Sequence, residues 1–103
     1  GVRQPLDELA AVVRKAGGLL FADCAQSAGK LPLPDADLIA VSAHKLGGPP
    51  GVGALLVRDL GVLVASGGQE KGYRPGTENL PGAVAMATAL EAGRGWVERA
   101  GDL

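Results

Sequence analysis

Leu6, Leu9, Ala10, Val13 and Ala16 recur at spacings of three and four with polar residues between them, which predicts an amphipathic helix over residues 5–16. Asp7 and Glu8 in its first turn and Arg14 and Lys15 in its last complement the helix dipole, and Gly17-Gly18 is the stop signal. The short apolar run 19–22, closed by Asp23, has the pattern of a strand buried on both faces. A second such run, 38–41, follows a Pro-rich connector at 31–37, and a third, 52–57, follows the Gly/Pro cluster 47–51. Residues 60–65 predict a weaker fourth strand. Residues 66–81 are polar, Gly-rich and aperiodic, hence a long loop, and loops beyond about 12 residues in compact domains tend to be functional. Val84, Met86, Ala87, Leu90 and Ala92 support a second helix, with Pro81 near its first turn. Helix, strands, loop and helix in this order is an α/β reading.

Composition narrows that reading. The 103 residues carry 47% apolar side chains, seventeen glycines, seven prolines and three aromatics, which suits α/β architecture with tight turns and close backbone approaches more than a helix bundle. Ten basic and eleven acidic residues give a net charge of −1 without a basic run, so no nucleic-acid footprint or membrane-surface patch is expected. The uncharged apolar stretches fall short of the roughly 20 residues that cross a bilayer, and residues 1–5 carry no apolar segment of a secretory signal. A cytosolic setting is the expectation. Cys24 has no cysteine partner and, with one histidine in the chain, too few soft ligands for a zinc site.

Asp23 ends one apolar run and Ser42-Ala43-His44-Lys45 ends the next. Ligands of open α/β sheets gather at the carboxyl ends of strands, which is where both polar groups emerge. Singly, each has a plain explanation: Asp23 as a turn carboxylate, Lys45 as a solvated surface lysine, His44 as a surface histidine. Together they meet the needs of one cofactor. Pyridoxal 5'-phosphate (PLP) requires an amine for its aldehyde, a carboxylate that keeps its pyridine nitrogen protonated, and donors for its phosphate. Lys45, Asp23 and Ser42 or His44 can supply these in turn. Residues 67–79 add Arg74 and Thr77 beside glycine-rich backbone, chemistry suited to an anion. A nucleotide site is set aside, because residues 47–53 have neither phosphate-loop nor dinucleotide spacing and lead into a strand instead of a helix.

Three ordered blocks carry a resemblance: Ala22-Asp23-Cys24-Ala25-Gln26-Ser27-Ala28-Gly29-Lys30; Ser42-Ala43-His44-Lys45-Leu46-Gly47-Gly48-Pro49-Pro50-Gly51-Val52-Gly53-Ala54-Leu55; and Gly67-Gly68-Gln69-Glu70 followed by Arg74-Pro75-Gly76-Thr77-Glu78-Asn79. They resemble the class V aminotransferase superfamily, near its NifS/IscS-like cysteine desulfurases. The Arg-x-Gly-Thr element is the most discriminating of them. The resemblance implies part of a fold-type I PLP-dependent transferase large domain, a mixed, mostly parallel sheet flanked by helices. It implies that Lys45 forms the Schiff base and relays protons, that Asp23 pairs with the pyridine nitrogen, that Gln26 bonds the phenolic oxygen, and that Ser42 and His44 hold the phosphate. Thr77 would reach the phosphate of the other subunit's cofactor, so a homodimer is implied. The implied reaction takes sulfur from L-cysteine, leaving L-alanine and an enzyme persulfide that feeds iron–sulfur cluster or thio-cofactor assembly through a sulfur-acceptor partner.

Two departures from the family pattern stand within these blocks: Ala43 in place of a common glycine, and Pro50 where lysine is frequent. The family's persulfide cysteine belongs to a loop well downstream of the third block, and Cys24 lies inside the cofactor block as a small buried residue. Residues 1–103 are therefore expected to be a single partial domain, the central portion of the large domain, incomplete for turnover by itself. A selenocysteine lyase, an aminotransferase of the same superfamily, or a non-catalytic scaffold are the alternatives.

Overall fold

The computed structural model describes residues 2–101; Gly1, Asp102 and Leu103 of the expected domain lie outside the described residues. Helix α1, Leu6–Lys15, comes first, with Asp7 and Glu8 in its first turn and Arg14 and Lys15 in its last. Three strands follow: β1, Phe21–Asp23; β2, Leu38–Ser42; and β3, Gly53–Val57. Helices α2, Leu80–Ala92, and α3, Trp96–Ala100, close the described chain. The α/β class holds.

The sheet order is β1-β2-β3. Strands β1 and β2 are parallel, with Phe21 opposite Leu38, Ala22 opposite Ile39 and Asp23 opposite Ala40. Strands β2 and β3 are antiparallel, running from Leu38 opposite Val57 to Ser42 opposite Gly53. The sheet is thus mixed, one parallel and one antiparallel pairing among the described residues. Gly53 is needed where it stands, because a Cβ there would meet the Val41 carbonyl oxygen at 2.7 Å.

One expected strand is absent: residues 60–62 of the apolar run 60–65 form a 3₁₀ turn, Leu60–Val62. The Asp59 carboxylate accepts the Gly61 N–H at 2.8 Å, and this local bond offers the backbone an alternative to pairing as a fourth strand. The long loop contains a turn of its own, Glu70–Gly72, and a bridge between Gln69 and Arg74.

The core is small. Ala22, Cys24, Ala28, Ala36 and Ile39 form a buried cluster, packed by Leu6, Leu20, Val41 and Leu46. Cross-strand partners share a face and residues two apart along a strand share it too, so Ala22, Ile39 and Val41 belong to this covered side. Phe21, on the other face, is 59% exposed, and Leu19 and Leu55 are also exposed. The expectation of a first strand buried on both faces is corrected accordingly: β1 is covered on one side.

A charged cluster fastens the opposite end of these strands. Asp37, buried, accepts the Leu20 N–H at 2.9 Å through Oδ2. Its Oδ1 faces Arg14 Nε and Arg58 Nε, each at 3.6 Å. Asp35 pairs with Arg14 at 2.6 Å and with Arg58. Asp35 also donates its N–H to Asp7 Oδ1 at 2.8 Å, so α1, the connector and the end of β3 are joined. Leu20, Asp37 and Leu38 are further linked by backbone bonds of 3.0 and 3.1 Å, which fix where β1 and β2 begin relative to each other.

Candidate cofactor site

Because β1 and β2 are parallel and Asp23 lies opposite Ala40, the carboxyl ends of both strands reach the same edge of the sheet. Ser42 stands two residues beyond Ala40, so the pleat turns it to the same face as Asp23. Leu55, opposite Ala40, shares that face. The chain then leaves β2 through a 3₁₀ turn, Ala43–Lys45, which carries His44 and Lys45 out from the end of the strand. Asp23, Ser42, His44 and Lys45 therefore converge on one edge from two short, apolar strands.

Each group is available for a ligand. The Asp23 carboxylate is exposed and uses Oδ1 to accept the Ala25 N–H at 3.0 Å, a turn bond that holds the side chain in place. Ser42 Oγ and His44 Nδ1 lie 3.1 Å apart, so the hydroxyl and the imidazole orient each other. His44 and Lys45 are exposed. Gln26 follows in the turn after β1; its backbone oxygen accepts a hydrogen bond from the Lys30 ammonium at 3.1 Å, and the residue is exposed. Ala43 is fully buried, its carbonyl accepting the N–H groups of Leu46 and Gly48 at 3.1 and 2.8 Å. A Cβ on Gly48 would meet the Ala43 methyl at 3.0 Å, so small residues at both positions let the turn after the strand fold tightly.

The donor set fits PLP: an exposed primary amine, a carboxylate fixed by its own turn, and a hydroxyl–imidazole pair for an anion stand at the carboxyl ends of two neighbouring strands. Thr77 is not brought to this edge by any hydrogen bond among the described residues. It is exposed on the loop before α2, between Arg74, whose Nη1 donates to the carbonyls of Pro75 and Gly76 at 3.2 and 3.1 Å, and Asn79, which caps α2 by accepting the Gly82 N–H at 3.0 Å. Arg74, an anion ligand by its residue type, spends this nitrogen on the loop's own backbone. Cys24 is buried, 1% exposed, and free, as a small core residue is. The charged cluster of Arg14, Asp35, Asp37 and Arg58 carries no motif or spacing in the sequence, because its members are scattered across helix, connector and strand end.

Residues 1–96 match the family model described as Aminotransferase class-V. A curated relative, Cysteine desulfurase IscS of Anaeromyxobacter sp. (strain Fw109-5), is 45% identical, covering 91% of this chain and 26% of its own length. Cysteine desulfurase, mitochondrial, of Drosophila melanogaster is 43% identical over 88% of this chain and 22% of its own. Among solved structures, a NifS-like protein superposes with a TM-score of 0.83 at 37% identity, covering 97% of this chain and 30% of that one. DndA from Streptomyces lividans gives 0.81 at 35% identity over 96% and 31%. The chain thus spans about a quarter of the length of the curated relatives it matches. With the family model covering nearly all of it and the desulfurase-named relatives aligned along its length, the chain belongs to the class V aminotransferase family.

Proposed function

We propose that these residues are the central portion of the large domain of a PLP-dependent cysteine desulfurase, and that the whole protein removes sulfur from L-cysteine as a homodimer. The observation that supports the reading is that Asp23 and Ser42 share a face at the common carboxyl edge of the parallel strands β1 and β2, with His44 and Lys45 in the turn that leaves β2 at that edge. The names of the aligned relatives support the choice of cysteine as substrate, and the solved structure titled SspA in complex with cysteine, 36% identical with a TM-score of 0.80, adds to it.

PLP, when bound, supplies an electron sink for the amino-acid substrate. In this reading Lys45 holds the cofactor covalently through Nζ and afterwards moves a proton to and from the substrate. Asp23 would keep the pyridine nitrogen protonated, a role a carboxylate fills because its charge favours the protonated ring. Gln26 bonds the phenolic oxygen, Ser42 and His44 bind the phosphate, and Thr77 reaches the phosphate in the other subunit. The sulfur passes to a cysteine thiolate outside these residues, giving a persulfide and L-alanine, and a sulfur-acceptor protein in the cytosol then receives it.

The test uses the full-length protein. Incubated with PLP it should show the absorbance of the lysine-bound cofactor near ~420 nm, lost in Lys45→Ala, and it should release sulfide and alanine from L-cysteine. A protein that binds PLP but only transaminates would move the reading to an aminotransferase. Absorbance that persists in Lys45→Ala would remove Lys45 from its role.

A further inference from the structure

The loop that carries Thr77 is closed by its own residues. Ser66 and Gly67 donate their N–H groups to the Gly72 carbonyl at 2.9 and 3.2 Å, and Gln69 and Arg74 exchange backbone bonds at 3.1 and 3.2 Å. Ser66 Oγ donates to the Tyr73 carbonyl at 2.9 Å. Glu70 and Lys71 adopt left-handed backbone, φ 49° and 58°, a conformation non-glycine residues hold only when their surroundings impose it. Gly67 leaves room for the Arg74 carbonyl and the Pro75 backbone, which a Cβ would strike.

These bonds secure the loop from residue 66 to residue 74 but leave 75–79 to be fixed separately. One side-chain pair spans the gap. With its carboxamide nitrogen facing Glu78, the orientation the neighbouring donors and acceptors require, Gln69 donates to Glu78 Oε1 at 2.8 Å and to Oε2 at 3.2 Å. Thr77 then lies between the Arg74 bonds to Pro75 and Gly76 on one side and the Glu78 contact with the Asn79 cap on the other. A hydrogen bond to a carboxylate is stronger than a neutral one, so this contact is a firm restraint on the far side of the short segment holding Thr77, as the Arg74 guanidinium bonds are on the near side.

We infer that Gln69 and Glu78 are positioning residues: their pair latches the end of the loop to its beginning and presents Thr77 already ordered, before a second subunit engages it. The inference rests on the reading that Thr77 meets a cofactor phosphate. Its physical advantage is that a preformed loop loses less conformational freedom on binding.

The test compares Glu78→Ala, Gln69→Ala, the double variant and Glu78→Gln in the full-length protein. Two quantities are read: amide hydrogen exchange across residues 67–79 in protein stripped of PLP, and the rate at which PLP is lost from loaded protein into a scavenger. Each alanine variant should accelerate both by about tenfold, the effect of one charge-assisted bond. The double variant should be no worse than either single one, since both remove the same bond. Glu78→Gln, which keeps an acceptor oxygen facing Gln69 but loses the charge, should recover part of the effect and fall between the wild type and the alanine variants. The thermal midpoint of the whole protein should stay unchanged, because the loop is outside the core. Unaltered exchange in the alanine variants, additive effects in the double variant, failure of Glu78→Gln to recover, or faster exchange with unchanged PLP loss would each overturn the inference. Should the wild-type protein bind no PLP, the cofactor reading fails by itself, and exchange in the stripped protein still decides whether the latch exists.

Discussion

Asp23 shows how a single side chain is held for one task and freed for another. Its Oδ1 accepts the Ala25 N–H, so the turn after β1 depends on an acceptor at that position but not on a charge. Asp23→Asn keeps an acceptor there and should leave the fold and most cofactor retention in place. The variant loses the negative charge proposed to keep the pyridine nitrogen protonated, so desulfurase turnover in the full-length protein should fall by about a hundredfold or more, in the range seen for removing one preorganised electrostatic contact. Steady-state kinetics checks this, and an Asn variant of near-normal turnover would remove the charge argument. The neighbouring Cys24 carries the opposite expectation. Buried, with its backbone N–H bonded to Ala40 and its carbonyl accepting from Ser27 and Ala28, it should resist alkylation in the native protein, and Cys24→Ala should retain sulfide release within about twofold because only a small core residue is exchanged. Cys24→Ser should instead cost about 1–3 kcal/mol of stability, the penalty for burying a hydroxyl without a partner; thermal denaturation of the two variants separates these outcomes.

At the scale of elements, the register of β1 against β2 decides whether Asp23 and Ser42 share an edge, since a one-residue slip would turn one of them to the opposite face. The Arg14, Arg58, Asp35 and Asp37 cluster holds that register from the other end. Hydrogen bonds from Arg14 and then Arg58 hold the Asp35 carboxyl below its usual range, and the bond to Asp35 raises the Arg14 guanidinium above its own. A depressed carboxyl pKa stabilises the folded state above the unfolded value of about 3.9 and loses that contribution as pH falls through the lower native value. Arg14 stays charged throughout. The stability difference between the protein and Asp35→Asn should therefore be full near neutrality and shrink as pH drops below about 4, with Asp7, Asp37, Arg14 and Arg58 as the neighbouring charges. Added salt should shrink it as well, because the pair is solvent-exposed. Urea unfolding across that pH range measures the difference, and a pH-independent one would show that the charge of Asp35 is not what contributes.

The same elements explain what the chain made legible. Strands β2 and β3 were readable because apolar runs bounded by turn residues coincide with their pairing, and α1 because its period and end charges agree. Strand β1 begins two residues later than its apolar run because its pairing with β2 starts at Phe21 opposite Leu38, the first residue of β2. Residues 60–65 misled because apolar composition says nothing of Asp59, whose carboxylate captures the turn. The convergence of Asp23 with Ser42, His44 and Lys45 followed from two strand ends in one parallel pair. The Gln69–Glu78 contact did not, since a spacing of nine inside an aperiodic loop belongs to no pattern.

At the scale of the whole molecule the described chain is a plate of 45 × 39 × 19 Å with a radius of gyration of 15.3 Å, above the roughly 13 Å of a compact domain this long. Its buried apolar residues are small apart from Ile39 and Met86, whereas Val2, Leu19, Phe21, Val64, Leu80 and Val84 are more than half exposed. Helix α2 carries no charge before Glu91, and its one polar side chain ahead of that, Thr88, donates its hydroxyl to the Val84 carbonyl, the character of a helix enclosed in a core. An open groove of about 1030 Å³ runs between β3, the loop and α2, lined by Leu55, Leu60, Leu63, Tyr73, Met86 and Leu90 among others. Burial at about 25 cal/mol per Å² is the main force against chain entropy, and a plate with one small buried cluster gains too little of it. The 103 residues expressed alone should therefore bind a hydrophobic dye, associate at micromolar concentration and unfold without a sharp transition, while the full-length protein unfolds cooperatively. Differential scanning calorimetry of the two decides it: a sharp, concentration-independent transition in the isolated chain would mean that the small Ala22–Ile39 cluster and the charged clasp suffice to hold the plate together without further packing.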